Sequence, residues 1–181
     1  METGGKSGHG ALAIRADERE GLHGWWQKTF SVTPGLHYRF SAWRRTENIA
    51  VPRRSVLARV LWRDEAGKEV QRREGVVTNF SMGVVASAEP EYPRDLSAGK
   101  DGWVEMSGTY EAPPGATQAR VELHLLWAPN GSVEWSDVAF LPTETPAPRK
   151  VRLASVHYRP RGAKTPMDAK ACTAGGRRPF P

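Results

Sequence analysis

The sequence contains a single cysteine, Cys172, so an intrachain disulfide and any multi-cysteine zinc or iron–sulfur site are excluded. It has no run of about 18 apolar residues, the length a transmembrane helix needs, and Met1 to Gly10 is too polar for a signal peptide. The five histidines are scattered and include no His-Glu-x-x-His pair. Gly4, Gly5, Gly8 and Gly10 do not join a strand to a phosphate-cradling helix. The acid pairs Asp17/Glu18 and Asp64/Glu65 fall in turns, where exposure to water explains them better than a glycosidase pair does. No catalytic residues are therefore expected in this chain.

An excess of positive charge is also missing from most of the molecule. The formal net charge is +6, but residues 149–181 carry nine Lys or Arg against one acid, a net of +8. The preceding residues hold seventeen bases and nineteen acids, a net of −2. A domain that grips a phosphate backbone concentrates cations on one face, and here only short pairs occur: Arg44-Arg45, Arg53-Arg54 and Arg72-Arg73. Neither nucleic acid nor a membrane is expected as a partner.

What the sequence does have is alternation at period 2, with almost no helical periodicity before the last thirty residues. Ala11 to Ala16 and Trp25 to Val32 read as the first strands. Thr33-Pro34-Gly35 then fits a type II turn, because Pro presets one φ and Gly accepts the positive one after it. Leu36, Tyr38, Phe40 and Ala42 alternate with His37, Arg39, Ser41 and Trp43, which predicts one buried face. Val56, Ala58, Val60 and Trp62 repeat the pattern, and Lys68 to Arg73 is expected to pair back as a hairpin. Glu89 to Gly102, with two prolines and two glycines, reads as an exposed loop. Strands at Trp103 to Tyr110, Arg120 to Trp127 and Val133 to Leu141 complete the pattern.

Eight or so short strands, with turns roughly every 8 to 12 residues, predict an all-β antiparallel sandwich of the jelly-roll kind. The expected organisation is a flexible N-terminus over 1–10, a sandwich over 11–141, a Pro-rich linker over 142–149, and an incomplete, mostly unstructured tail over 150–181.

Seven tryptophans draw attention to sugars, whose C–H faces stack on aromatic rings while their hydroxyls bond to polar side chains. Most of these aromatics should be core: Trp25 or Trp26, Tyr38, Phe40, Trp62, Trp127 and Trp135. Trp43 differs, because it faces away from Tyr38 and Phe40 with Arg39 and Ser41 on its own side. Glu122 and His124 are expected on an equivalent outward face, with Arg59 able to join them and Tyr92 at a rim. The candidate carbohydrate site is thus Trp43, Arg39, Arg59, Glu122 and His124. The alternative is a ligand-free interaction or spacer domain in which Trp43 packs against a neighbour.

The order Gly8-x-Gly10-Ala11-Leu12-x-Ile14, Trp26-Gln27, Val32-x-Pro34-Gly35-x-x-Tyr38-Arg39-Phe40-Ser41-Ala42-Trp43 resembles jelly-roll carbohydrate-binding modules of the galactose-binding-like fold. Trp103, the Ala112-Pro113-Pro114-Gly115-Ala116 corner and Val133-Glu134-Trp135-Ser136-Asp137-Val138 come in that family's order, over about 130 residues. The resemblance implies carbohydrate binding and, through Asp137, a structural calcium site, although the family's preceding strand is largely absent here. Separately, Lys150 to Pro160 with Gly162 to Asp168 is similar to the opening strand and loop of carbon–nitrogen hydrolases of the nitrilase superfamily. That similarity implies an intramolecular hydrolase domain as partner. The family's Glu, Lys and Cys come from later strands that are not reached by Pro181, and Cys172 does not match the nucleophile's setting.

Overall fold

The central strands form where apolar side chains recur at every second residue between turn-forming residues, and the computed structural model describes residues 4–72, 86–148 and 151. The strands are β1 (Leu12–Arg15), β2 (His23–Ser31), β3 (His37–Glu47), β4 (Val56–Arg63), β5 (Arg94–Ala98), β6 (Val104–Glu111), β7 (Gln118–Leu126) and β8 (Ser132–Thr143). One helical turn, α1 (Pro52–Ser55), precedes β4. All pairings are antiparallel. They build a five-stranded sheet in the order β1-β8-β3-β6-β5 and a three-stranded sheet in the order β2-β7-β4. The described chain is therefore the all-β sandwich that the alternation predicts.

The inner faces carry the expected sets. Tyr38, Phe40 and Ala42 of β3, Val56, Ala58, Val60 and Trp62 of β4, and Ala119, Val121, Leu123 and Leu125 of β7 are all buried. Phe140 links the sheets: it stacks on Tyr38 at 5.4 Å and 8°, and meets Trp62 of the opposite sheet at 6.4 Å. Burying a side chain of that size contributes about 1.5–3 kcal/mol. At the turn before β3, Gly35 has φ +79° and the Leu36 N–H donates to the Thr33 carbonyl at 3.2 Å, which is the type II geometry that Pro34-Gly35 calls for.

β8 carries one extra residue. Ser41 pairs with Ala139 and Trp43 with Ser136, so Ala42 opposes two residues, Asp137 and Val138. Asp137 absorbs this bulge with φ +51°, a left-handed conformation that Asp tolerates better than most residues. The insertion keeps Trp135 and Phe140 both facing the core. Beyond Leu141 the strand continues through Pro142 and Thr143, which pair with Tyr38 and His37.

Four expectations are corrected. Arg94 to Ala98, read as loop, is the edge strand β5; its mostly exposed residues leave no apolar alternation to detect. Trp127 is 68% exposed, because β7 ends at Leu126 and Trp127 takes φ +48°, which breaks the parity it shared with Leu125. Leu36 is exposed because it belongs to the turn and the strand begins at His37. Trp25 and Trp26 are both substantially exposed, since β2 is an edge strand of the smaller sheet.

The chain divides into two units, Met1–Pro146 and Ala147–Pro181. The first holds both sheets. The second is described only at residues 147, 148 and 151. Apart from Val151, the hydrolase-like segment from Lys150, and Cys172 with it, lies outside the described residues.

Candidate functional site

Alternation dictates that His37, Arg39, Ser41, Trp43 and Arg45 of β3 point outward from the five-stranded sheet, and register decides their neighbours. Trp43 stands between Glu105 of β6 and Ser136 of β8, and Arg39 between Thr109 and Leu141. Arg39, Ser41, Trp43, Glu105, Asp137 and Leu141, with Pro142 and Thr143, line a groove of about 430 Å³. A cavity of this size suits a small ligand or part of a longer chain.

Polar groups in this groove are placed but not exhausted. The Arg39 Nε–H donates to the Ser107 hydroxyl at 3.2 Å, and the Ser107 hydroxyl donates to the Phe40 carbonyl at 2.9 Å. The guanidinium is 4.0 Å from Glu105, and its side chain remains 55% exposed. That leaves donors free to reach a ligand in the groove. Glu105 and Asp137 supply acceptors on the other sides of Trp43.

The N-terminal residues complete the face. Gly4 to Gly10 fold back on themselves, with the Gly10 N–H donating to the Gly4 carbonyl at 2.6 Å. The Lys6 backbone N–H donates to the Ser136 hydroxyl at 3.0 Å, and the Ser7 hydroxyl donates to Asp137. Lys6 thereby comes to lie with its Nζ 5.0 Å from the centre of the Trp43 ring and 2.5 Å from Asp101. The hydrogen bond from Lys6 holds the Asp101 carboxyl below its ordinary pKa. A cation over an indole is favourable by about 0.5–1 kcal/mol at an exposed site, so Lys6 covers part of the outward face of the Trp43 ring.

Arg59, Glu122 and His124 do not join Trp43. They point outward from the three-stranded sheet, on the other side of the sandwich, because β4 and β7 both belong to that sheet. There they form a cluster of their own. Glu122 accepts from Arg59 Nε at 2.6 Å, lies 3.1 Å from Arg120 Nε, and lies 3.1 Å from His124 Nε2. His124 Nδ1 is 2.8 Å from His23 Nε2, and the Trp25 ring stacks over His124 at 5.8 Å. With Nε2–H directed to the carboxylate, His124 accepts from His23 through Nδ1 as the neutral tautomer. Burial first, and then the nearby Arg59, hold the His124 pKa below its ordinary value.

This cluster is covered by its own side chains: Glu122 is 3% and His124 1% exposed. Both carry almost no surface of their own to solvent. They fix the outer face of the smaller sheet, while Arg39 and Trp43 line the open groove. Tyr92 is 57% exposed and lines a separate depression with Arg53, Pro93 and Asp95.

Asp137 does not have the surroundings of a calcium ligand. Its oxygens accept from Ser7 and from the Ser136 hydroxyl, whereas calcium takes six to eight oxygens, usually from several carboxylates and carbonyls. Among the described residues no three His, Cys, Asp or Glu side chains converge as a metal site.

Polar residues of this face not picked out from the sequence are Glu105, Asp137 in its role as groove lining, and Lys6 beside Trp43. The cluster on the other face also includes His23, Trp25 and Arg120. Cross-strand register assembles them, and single-strand alternation does not reveal it.

No family model matches the chain, and no curated protein matches it. Among solved structures it is similar to the enzymatically active domain of tailspike protein 4 of bacteriophage CBA120. The TM-score is 0.51 at 14% identity, over 74% of this chain and 15% of that one. The chain thus spans a small fraction of that protein, and the likeness shows a shared fold. Weaker matches are a family 16 carbohydrate-binding module (TM-score 0.47, 9% identity, 75% of this chain and 81% of that one) and the CBM22-1–GH10 modules of Clostridium thermocellum xylanase 10B complexed with xylohexaose (TM-score 0.44, 15% identity, 83% of this chain and 25% of that one).

Proposed function

We propose that the chain is a non-catalytic carbohydrate-binding module whose glycan lies in the groove on the outer face of the five-stranded sheet. The observation that carries this reading is Trp43, an outward indole within a groove that also presents the exposed Arg39 guanidinium, Ser41, Glu105 and Asp137. An apolar plate ringed by donors and acceptors matches the two kinds of surface on a sugar ring. The carboxylates of this face are held by cations or hydroxyls: Glu105 beside Arg39, Asp101 by Lys6, and Asp137 by Ser7 and Ser136. Such pairing suits recognition better than proton transfer.

The test is titration of a glycan panel, monitored by Trp fluorescence and calorimetry, on the wild type and Trp43→Ala. Loss of the indole should weaken binding by about 1–2 kcal/mol, roughly five- to thirtyfold, in line with the value of an aromatic contact and its burial. Equal binding by the variant, or no response to any glycan, would count against the groove. The resemblance from Lys150 onward supports a further reading, in which the module tethers a carbon–nitrogen hydrolase domain to its glycan. A coding sequence that continues beyond Pro181 with that family's Glu, Lys and Cys would support the tether, and a continuation lacking them would defeat it.

A further inference from the structure

The three-stranded sheet has an open edge at β2. On one side β2 is paired with β7, residue for residue from His23–Leu126 to Ser31–Gln118 and without a bulge. The bonds just beyond each end fix which backbone groups that pairing uses: the Val32 N–H donates to the Thr117 carbonyl at 2.9 Å, and the Trp127 N–H donates to the Leu22 carbonyl at 2.8 Å. Antiparallel pairs alternate, so Gly24, Trp26, Lys28 and Phe30 spend their N–H and C=O groups on β7. Those of His23, Trp25, Gln27, Thr29 and Ser31 point away from the sheet and meet no partner among the described residues. β1 comes near, its Ala13 carbonyl accepting from the Trp26 indole at 3.1 Å, but it belongs to the other sheet and bonds none of these groups.

A free edge of nine residues is a template for another strand, and the residues of β2 select which. The strand has no proline, and Lys28 is its one formally charged residue. Laid antiparallel on a second copy of itself with Gln27 at the centre, it pairs over its whole length. Gln27 then meets Gln27, Trp25 meets Thr29 and His23 meets Ser31 as the hydrogen-bonded pairs, while Trp26 meets Lys28 and Gly24 meets Phe30 between them. An indole facing a β-branched residue, a cation facing an indole and a phenyl ring over a glycine are each favourable cross-strand pairs. No like charges oppose each other. A lysine on an edge strand deters indiscriminate pairing, and here it selects the register: centred on Lys28, the same strands would set lysine against lysine.

We infer that two copies of this chain join edge to edge through β2 about a two-fold axis at Gln27, making one six-stranded sheet from the two three-stranded ones. The five free N–H groups of each strand then meet the five free C=O groups of the other. The association is isologous, so it closes at a dimer. It uses the edge of the smaller sheet, whereas the Trp43 groove lies on the outer face of the larger one, so a dimer carries two grooves.

Sedimentation velocity of the full chain, from micromolar to millimolar concentration, should show a dimer that dissociates on dilution. Gln27→Pro should weaken it about tenfold or more, because each copy loses the N–H it donates at the axis. The fold should survive, since proline is tolerated where an edge-strand N–H faces solvent. In a Cys172→Ser background, a short bis-maleimide linker should join Gln27→Cys into a covalent dimer. It should not join Ser31→Cys, whose two thiols would lie about 27 Å apart, eight residues along the ladder. A wild type that stays monomeric at millimolar concentration would overturn the inference. So would a dimer that Gln27→Pro leaves intact, or one in which Ser31→Cys cross-links as readily as Gln27→Cys. Because no glycan enters this experiment, its failure leaves the groove reading untouched.

Discussion

Replacing Glu122 by Gln tests how the outer face of the three-stranded sheet is held. The carboxylate is 3% exposed and serves three partners at 2.6 to 3.1 Å: Arg59, Arg120 and His124. Gln keeps the shape and one acceptor oxygen but removes the charge, leaving two guanidinium groups side by side. Breaking a fully buried ion pair from one side costs about 3–5 kcal/mol. Both arginine side chains are about one-third exposed, so water recovers part of that loss, as it does for surface pairs. The expected cost is therefore about 2–3 kcal/mol. For a domain of this size that corresponds to a fall in Tm of roughly 4–12 °C. Urea denaturation monitored by Trp fluorescence measures it directly, and an unchanged m-value would show that native compactness is retained. A loss below about 0.5 kcal/mol would refute the reasoning, because the carboxylate would then contribute no more than a solvent-exposed partner.

The same geometry gives three further expected outcomes. Folded His124 stays neutral below the ordinary histidine pKa of 6.5 because burial and Arg59 depress its value, so its contribution to stability is full above about pH 6.5 and is lost as pH falls from there toward the depressed folded value; denaturation midpoints from pH 8 to 5 should show this decline, and His124→Gln should flatten it. Lys6→Ala removes the cation that lies over Trp43 and pairs with Asp101, contacts together worth about 1 kcal/mol; if Lys6 competes with the sugar, calorimetry should show glycan affinity rising about fivefold, whereas a fall would make Lys6 part of the binding surface. Gly108→Ala places a Cβ 2.0 Å from the Tyr110 hydroxyl oxygen, whose ring folds over that glycine, and should destabilise the domain by about 1–3 kcal/mol in thermal melts.

Much of the sandwich was legible because half-buried strands write their faces into the sequence. β3, β4 and β7 each alternate cleanly, and their apolar sets are the ones found in the core. β5 was illegible for the complementary reason: an edge strand with mostly exposed side chains records no buried face. Trp127 misled because parity holds only while a strand lasts, and β7 ends one residue earlier. The candidate site was half legible. Alternation showed that Trp43, Arg39, Glu122, His124 and Arg59 all point away from the core, but "outward" has two meanings in a sandwich, one for each sheet. Pairing alone separates them: β3 lies beside β6 and β8, and β7 lies between β2 and β4. Lys6 was invisible for another reason. A loop rich in glycine, with Gly4, Gly5, Gly8 and Gly10 all at positive φ, brings it to Trp43 across 37 positions of sequence by a path that no periodicity encodes.

Mapping a bound glycan onto the protein tests the central reading most directly. With the best glycan from the panel, ¹H–¹⁵N spectra of the full chain should show the largest saturable shifts at the Trp43 indole, Ser41 and Glu105, with the Arg39 side chain moving in parallel. The Trp25 indole and the backbone of His23, on the opposite sheet, should remain still. Shifts confined to Trp25 and His23, or no shift at Trp43 at saturating glycan, would contradict the account.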